Sequence, residues 1–158
     1  MQNSRWIARR AESLAYVFMT RDPRVAVVSE DDTDFGLNFM IRVGTTPRQF
    51  NWITGVEVRG IDHPPRREFL LELTEDQAVV LNHSQQPSFL LAVDVRGEIL
   101  YFAWIRSPVA ETKHFRATTS LHLEPLDDAL FKAHIDEIRA FYRKRLPSDR
   151  NMIVSKAS

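Results

Sequence analysis

Asp34, Asn38, Glu57 and Arg59 are the residues of this 158-residue chain whose types and spacing best suit chemistry. Asp34-Phe35-Gly36-Leu37-Asn38 is an acidic turn that leads into an alternating strand pattern. Glu57-Val58-Arg59 follows in the next strand pattern. Residues spaced i and i+2 on a strand point to one face, so Glu57 and Arg59 stand side by side. An acid at the start of one strand, with an acid and a cation on the next, supplies the parts for magnesium-dependent phosphodiester hydrolysis. Carboxylate oxygens hold the metal, a cation or base positions the attacking water, and the metal stabilises the leaving charge. The same residues have a plainer reading. Glu57 and Arg59 then form an exposed ion pair worth little, and Asp34 caps a turn.

The elements that must position these groups follow from periodicity. Ile7, Ala11, Leu14, Ala15 and Phe18 recur at helical spacing, which predicts a helix from Ser4 to Thr20 with Asn3 or Ser4 as its cap. Val25–Val28 reads as a short strand. Leu37, Phe39, Ile41 and Val43 alternate with polar neighbours, as in a strand with one buried face. In the next strand Trp52, Thr54, Val56 and Val58 share one face, Ile53, Gly55, Glu57 and Arg59 the other, and Gly60 ends it. Phe69–Leu73 is a further strand, and Thr74 with Gln77 is a capping box opening a helix to about His83. Phe89–Val95 and Glu98–Ile105, joined by a tight turn at Arg96-Gly97, form a hairpin. Thr118–Leu123 is a last strand. Asp127 caps a final helix with Leu130, Phe131, His134, Ile135, Ile138, Phe141 and Tyr142 on its apolar stripe. The order predicts a mixed α/β domain over residues 1–147, one central sheet flanked by an N-terminal, a middle and a C-terminal helix, with 148–158 as a flexible tail.

Composition narrows the function classes. Lys plus Arg and Asp plus Glu both number 21, so no global field draws the chain to nucleic acid or to an anionic membrane. Any nucleic-acid contact then needs a local basic patch, for which Arg66, Arg67 and Arg48, with His63, are the candidates. The absence of cysteine excludes disulfides and thiolate metal sites. No apolar run is long enough to cross a bilayer, and the first residues lack the apolar core of a signal peptide, so the expected location is the cytoplasm. The five histidines have no metal-like spacing, and Ser84 and Ser88 lack a nucleophile-elbow context.

A larger pattern emerges when the segments are read in order. Arg9 to Glu12 lies in the first helix, followed by Asp34 to Phe39, Gly55 to Gly60, Pro87 to Val95, and the Tyr101 to Trp104 strand before the last helix. This ordered set, over roughly residues 4 to 145, resembles the PD-(D/E)XK, or restriction-endonuclease-like, phosphodiesterase superfamily. Within it the chain looks like the domain-of-unknown-function 4365 group. The resemblance implies a restriction-endonuclease-like sheet and a metal site. Glu12 corresponds to the first-helix acid, Asp34 to the first acid of the turn and Glu57 to the second acid. Asn38 stands where a metal-binding Asp belongs, and Arg59 where a Lys belongs. Asp34 and Glu57 are the metal ligands it leaves. Asn38 removes one negative charge from a divalent cation's site. Arg59 stays charged and cannot act as a base, though its planar fork can hold a phosphate.

These departures predict a degraded metal site on a protein associated with nucleic acid, with weak or no nuclease activity and more often no Mg2+ than Mg2+. Two alternatives stand beside that expectation. One is an active divergent magnesium-dependent nuclease in defence or repair, with Asp34 or Glu12 replacing the lost ligand. The other is a non-enzymatic interaction module or homodimer that uses an aromatic surface hairpin at Tyr101, Phe102 and Trp104.

Overall fold

The structure is a computed structural model that describes residues 2–30, 37–110 and 114–145. Helix α1 spans Gln2–Thr20. Strands β1 (Val25–Ser29), β2 (Phe39–Val43) and β3 (Ile53–Ile61) follow as an antiparallel meander. Strand β4 (Glu68–Glu72) and helix α2 (Glu75–His83) lead to β5 (Ser88–Asp94), which runs parallel to β3. Strand β6 (Ile99–Arg106) returns antiparallel to β5. Strand β7 (Thr118–His122), the two-residue β8 (Glu124–Pro125) and helix α3 (Asp128–Arg143) complete the chain. The architecture is α/β. A mixed six-stranded sheet in the order β1-β2-β3-β5-β6-β8 carries an N-terminal, a middle and a C-terminal helix.

The expected single sheet is corrected in one respect. β4 and β7 leave it and form a second, two-stranded antiparallel sheet. Each buries only one residue, Leu71 and Leu121, so their pattern is that of a ribbon lying on the core. β5 is buried at all seven positions, as expected of a central strand paired on both edges and covered on both faces.

Two apolar layers fill the two faces of the large sheet. On one face Val56, Val58, Phe89, Leu91, Val93 and Phe102 meet Ala11, Ala15 and Phe18 of α1 and Phe131, Ile135 and Ile138 of α3. On the other, Leu90, Ala92, Ala103 and Ile105 meet Leu71, Leu81, Phe115, Leu121 and Leu123 from the ribbon, α2 and nearby loops.

Several local signals act as the sequence predicts. Gln77 N–H donates to Thr74 Oγ1 at 3.1 Å and Thr74 N–H to Gln77 Oε1 at 3.0 Å, a complete capping box. Asp127 accepts from Leu130 N–H at 2.7 Å and starts α3. Others differ. α1 begins at Gln2, so neither Asn3 nor Ser4 stands outside the helix as its cap. The turn between β5 and β6 takes in Val95 to Glu98, with the left-handed residue at Glu98 (φ 54°). Buried Asp94 holds that turn by accepting from the N–H groups of Arg96 and Gly97.

Gly60 does not end β3. The strand continues to Ile61, and the missing side chain serves packing. A Cβ at Gly60 would stand 2.7 Å from the backbone oxygen of Ile7 and 3.1 Å from the Ala11 Cβ. The glycine therefore lets α1 cross β3 closely. The aromatic hairpin is also not a surface. Phe102 is buried, and Tyr101 and Trp104 are half-buried. Phe102 stacks on His134 of α3, and Trp104 meets both rings edge-on. The apolar stripe of α3 needs a partner, and the hairpin supplies it.

Candidate functional site

Asn38 is the residue just before β2, and two hydrogen bonds explain its position. The β2–β3 register pairs Phe39 with Val56, so β2 stops short of Val58. Asn38 Oδ1 takes the place of the next strand residue by accepting from Val58 N–H at 2.7 Å. Asn38 Nδ2 donates to Glu12 Oε1 at 3.3 Å. A carboxamide has both a donor and an acceptor, and an ionised carboxylate only accepts. An aspartate here would keep the Val58 bond and set a second carboxylate against Glu12. The helix crossing allowed by Gly60 brings Glu12 within reach of this strand end.

Glu57 and Arg59 share the opposite face of β3, as the spacing requires. Glu57 is buried at 4% exposure. Arg59 Nη2 lies 3.0 Å from Glu57 Oε1 and donates more weakly to the Glu72 carbonyl at 3.4 Å. The guanidinium thus ties β3 to the end of β4. The Arg59 side chain is 41% exposed, so water reaches the cation but barely reaches the acid.

Asn38, Glu57 and Arg59 line one groove of about 650 Å³. Its far wall is Phe69, Leu70, Glu72 and Leu73 of β4 and its end, with Thr74, the cap of α2, and Gln77 of α2. The sequence does not mark these groove residues as a site, because the Thr74–Gln77 pair reads as a cap and nothing local shows that β4 folds over β3. The groove holds two carboxylates, Glu57 and Glu72, against one guanidinium. It does not by itself attract a phosphate.

Glu12 does not open into this groove. It lines a second hollow of about 500 Å³ with Ser13, Tyr16, Val17, Glu30 and Phe39. Asn38 therefore stands between the two carboxylates that the superfamily pattern brings to one metal. Asp34 lies outside the described residues. Among those residues, no three His, Asp or Glu side chains are grouped closely enough to hold a metal ion. Arg59 and Asn38 already engage the Glu57 and Glu12 carboxylates. The described residues do not fit a bound magnesium ion, and no metal-dependent step is derived through them.

The expected phosphate patch also divides. Arg48, Arg66 and Arg67 are exposed. Arg48 precedes the start of β3, and Arg66 and Arg67 follow its end. A nine-residue strand is about 26 Å long, so the two groups sit in loops that leave opposite ends of β3. Among the described residues no helix is long and apolar enough to cross a membrane. Comparison with protein-family models, curated proteins and solved structures returns no match.

Proposed function

We propose that this chain is a cytoplasmic, nucleic-acid-associated protein of the PD-(D/E)XK type whose metal site has been replaced by internal bonds. The observation that carries the reading is the pairing of each described site acid, Glu12 and Glu57, with a neutral or cationic neighbour at the superfamily position. Glu12 receives Asn38, and Glu57 receives Arg59. Such contacts hold the strand and helix in the arrangement a metal would otherwise require. They also satisfy the carboxylates, which removes much of the drive to bind a cation. The Arg59 guanidinium has no basic lone pair to offer a water molecule. The reading therefore assigns the protein little or no phosphodiester cleavage.

The test is incubation of plasmid and single-stranded substrates with the protein in Mg2+ or Mn2+, beside Glu57→Ala. The expected result is cleavage no faster than for Glu57→Ala. Rapid cutting that vanishes in Glu57→Ala would support instead the active divergent nuclease, with Glu12 or Asp34 completing the ligand set.

A further inference from the structure

The groove is acid-rich, so affinity for a polyanion has to come from elsewhere on the surface. The outer face of α1 has the required chemistry. Arg5, Arg9 and Arg10 are all exposed there, and Trp6 is 55% exposed. Arg10 is paired across the fold, 2.5 Å from Glu98. Among the described residues, no carboxylate lies within ion-pair distance of Arg5 or Arg9. The first turn of α1 carries no acidic residue. A cation there opposes the helix dipole, so Arg5 gains nothing from its own helix.

Trp6 also lacks a reason within the fold. Trp52 is buried and Trp104 is half-buried on the aromatic core, but Trp6 leaves more than half of its surface in water. Arg5 and Arg9 are spaced i, i+4 and lie about 6 Å apart along the helix. Glu12, seven residues after Arg5, lies on the same flank about 10 Å further along. The basic stretch is therefore continuous with the Glu12–Asn38 end of the candidate site.

We infer that the Arg5–Trp6–Arg9 face of α1 docks single-stranded nucleic acid, with the two guanidinium groups on phosphates and the indole stacked on an unpaired base. Planar cations beside an exposed ring suit a flexible strand, whose bases are free to stack without regard to sequence. A duplex hides its base faces and has no use for Trp6. The inference rests on the nucleic-acid reading above and names the partner form and the surface that holds it.

The experiment is fluorescence anisotropy of a labelled single-stranded oligonucleotide, its duplex and phosphatidylserine vesicles, over a salt series. Wild type is compared with Arg5→Ala, Arg9→Ala, Trp6→Ala and Lys132→Ala, the last an exposed cation on α3. Circular dichroism confirms that each variant is folded. The expected result is binding to the single strand. Trp6→Ala weakens it at least about fivefold, and each α1 arginine removed lowers the log–log salt slope by about 0.7. Lys132→Ala leaves binding unchanged. If wild type binds the strand but the α1 variants bind equally well, the surface is wrong and the nucleic-acid reading survives. If wild type binds no oligonucleotide, both fail. Preference for the duplex, or binding to vesicles alone, overturns the inference.

Discussion

The two faces of β3 are built for different purposes. The face toward α1 and α3 is apolar, with Val56 and Val58 in continuous contact with helix side chains. The face toward β4 carries buried Glu57 and half-exposed Arg59 at the floor of a groove. Burying a carboxylate costs free energy unless it is paired and hydrogen-bonded. A strand that needed only stability would use an apolar residue at position 57, as β5 does at Leu90, the position opposite. The first face of β3 is filled by apolar packing, and the second carries the Glu57–Arg59 ion pair, which also ties β3 to the end of β4.

The contrast can be broken most strongly at Phe89. This ring is fully buried on the helix-covered face, 5.0 Å from Phe102 and 6.3 Å from Phe131. Phe89→Ala is expected to cost about 3–5 kcal/mol in urea unfolding. A loss below about 1 kcal/mol would mean that this face is not the main core.

Two glycines of β3 sharpen the comparison, because they point to opposite faces. At Gly60 an added Cβ meets the backbone oxygen of Ile7, which cannot move without shifting α1. At Gly55 it meets the Cδ1 tip of Leu37 at 2.7 Å, a side chain able to turn aside. Gly60→Ala is expected to cost about 1–3 kcal/mol, and Gly55→Ala clearly less, by thermal or denaturant unfolding. Equal costs would show that the two faces are packed with the same rigidity.

His134 gives the smallest effect, read as a pH slope. Its ring stacks on Phe102 with centroids 4.0 Å apart, and among the described residues neither ring nitrogen has a hydrogen-bond partner, Nδ1 lying 3.8 Å from the Glu137 carboxylate. Burial pushes its pKa below the ordinary 6.5, against the opposing pull of Glu137 on α3 and Glu124 on β8. The unfolded chain therefore takes up the proton first as pH falls. The contribution is whole above pH 6.5 and is lost as pH drops through 6.5 toward the lowered folded value. Stability measured from neutral pH downward is expected to fall more steeply in wild type than in His134→Leu. Parallel slopes would contradict a neutral, buried His134.

Much of this was legible in the sequence, and the boundary has a physical cause. The stripes of α1 and α3, the Thr74–Gln77 cap and the common face of Glu57 and Arg59 depend on residues near one another in the chain. The separate ribbon of β4 and β7 depends on pairing Glu68 with His122 and Glu72 with Thr118, which no local pattern encodes. Arg48 and Arg66 look like neighbours in charge, but they belong to loops at the two ends of β3. Tyr101, Phe102 and Trp104 look like a surface until α3 covers Phe102 and Trp104, and Tyr101 packs into the opposite apolar layer. Glu12 reads only as a first-helix acid, and its bond to Asn38 and the hollow it lines emerge only from the crossing of α1 over Gly60.

The central claim is that Asn38 and Arg59 occupy a metal site with internal bonds. It is tested most directly by calorimetric titration of Mg2+ into wild type and the double variant Asn38→Asp/Arg59→Lys. Asn38→Asp places a carboxylate beside Glu12, and the like charges favour a bound cation. Arg59→Lys exchanges the planar fork on Glu57 for a single ammonium point charge. The expected result is a measurable gain of Mg2+ affinity in the double variant over wild type. Equal binding, or none in either protein, would mean that Glu12, Asn38, Glu57 and Arg59 do not form one site.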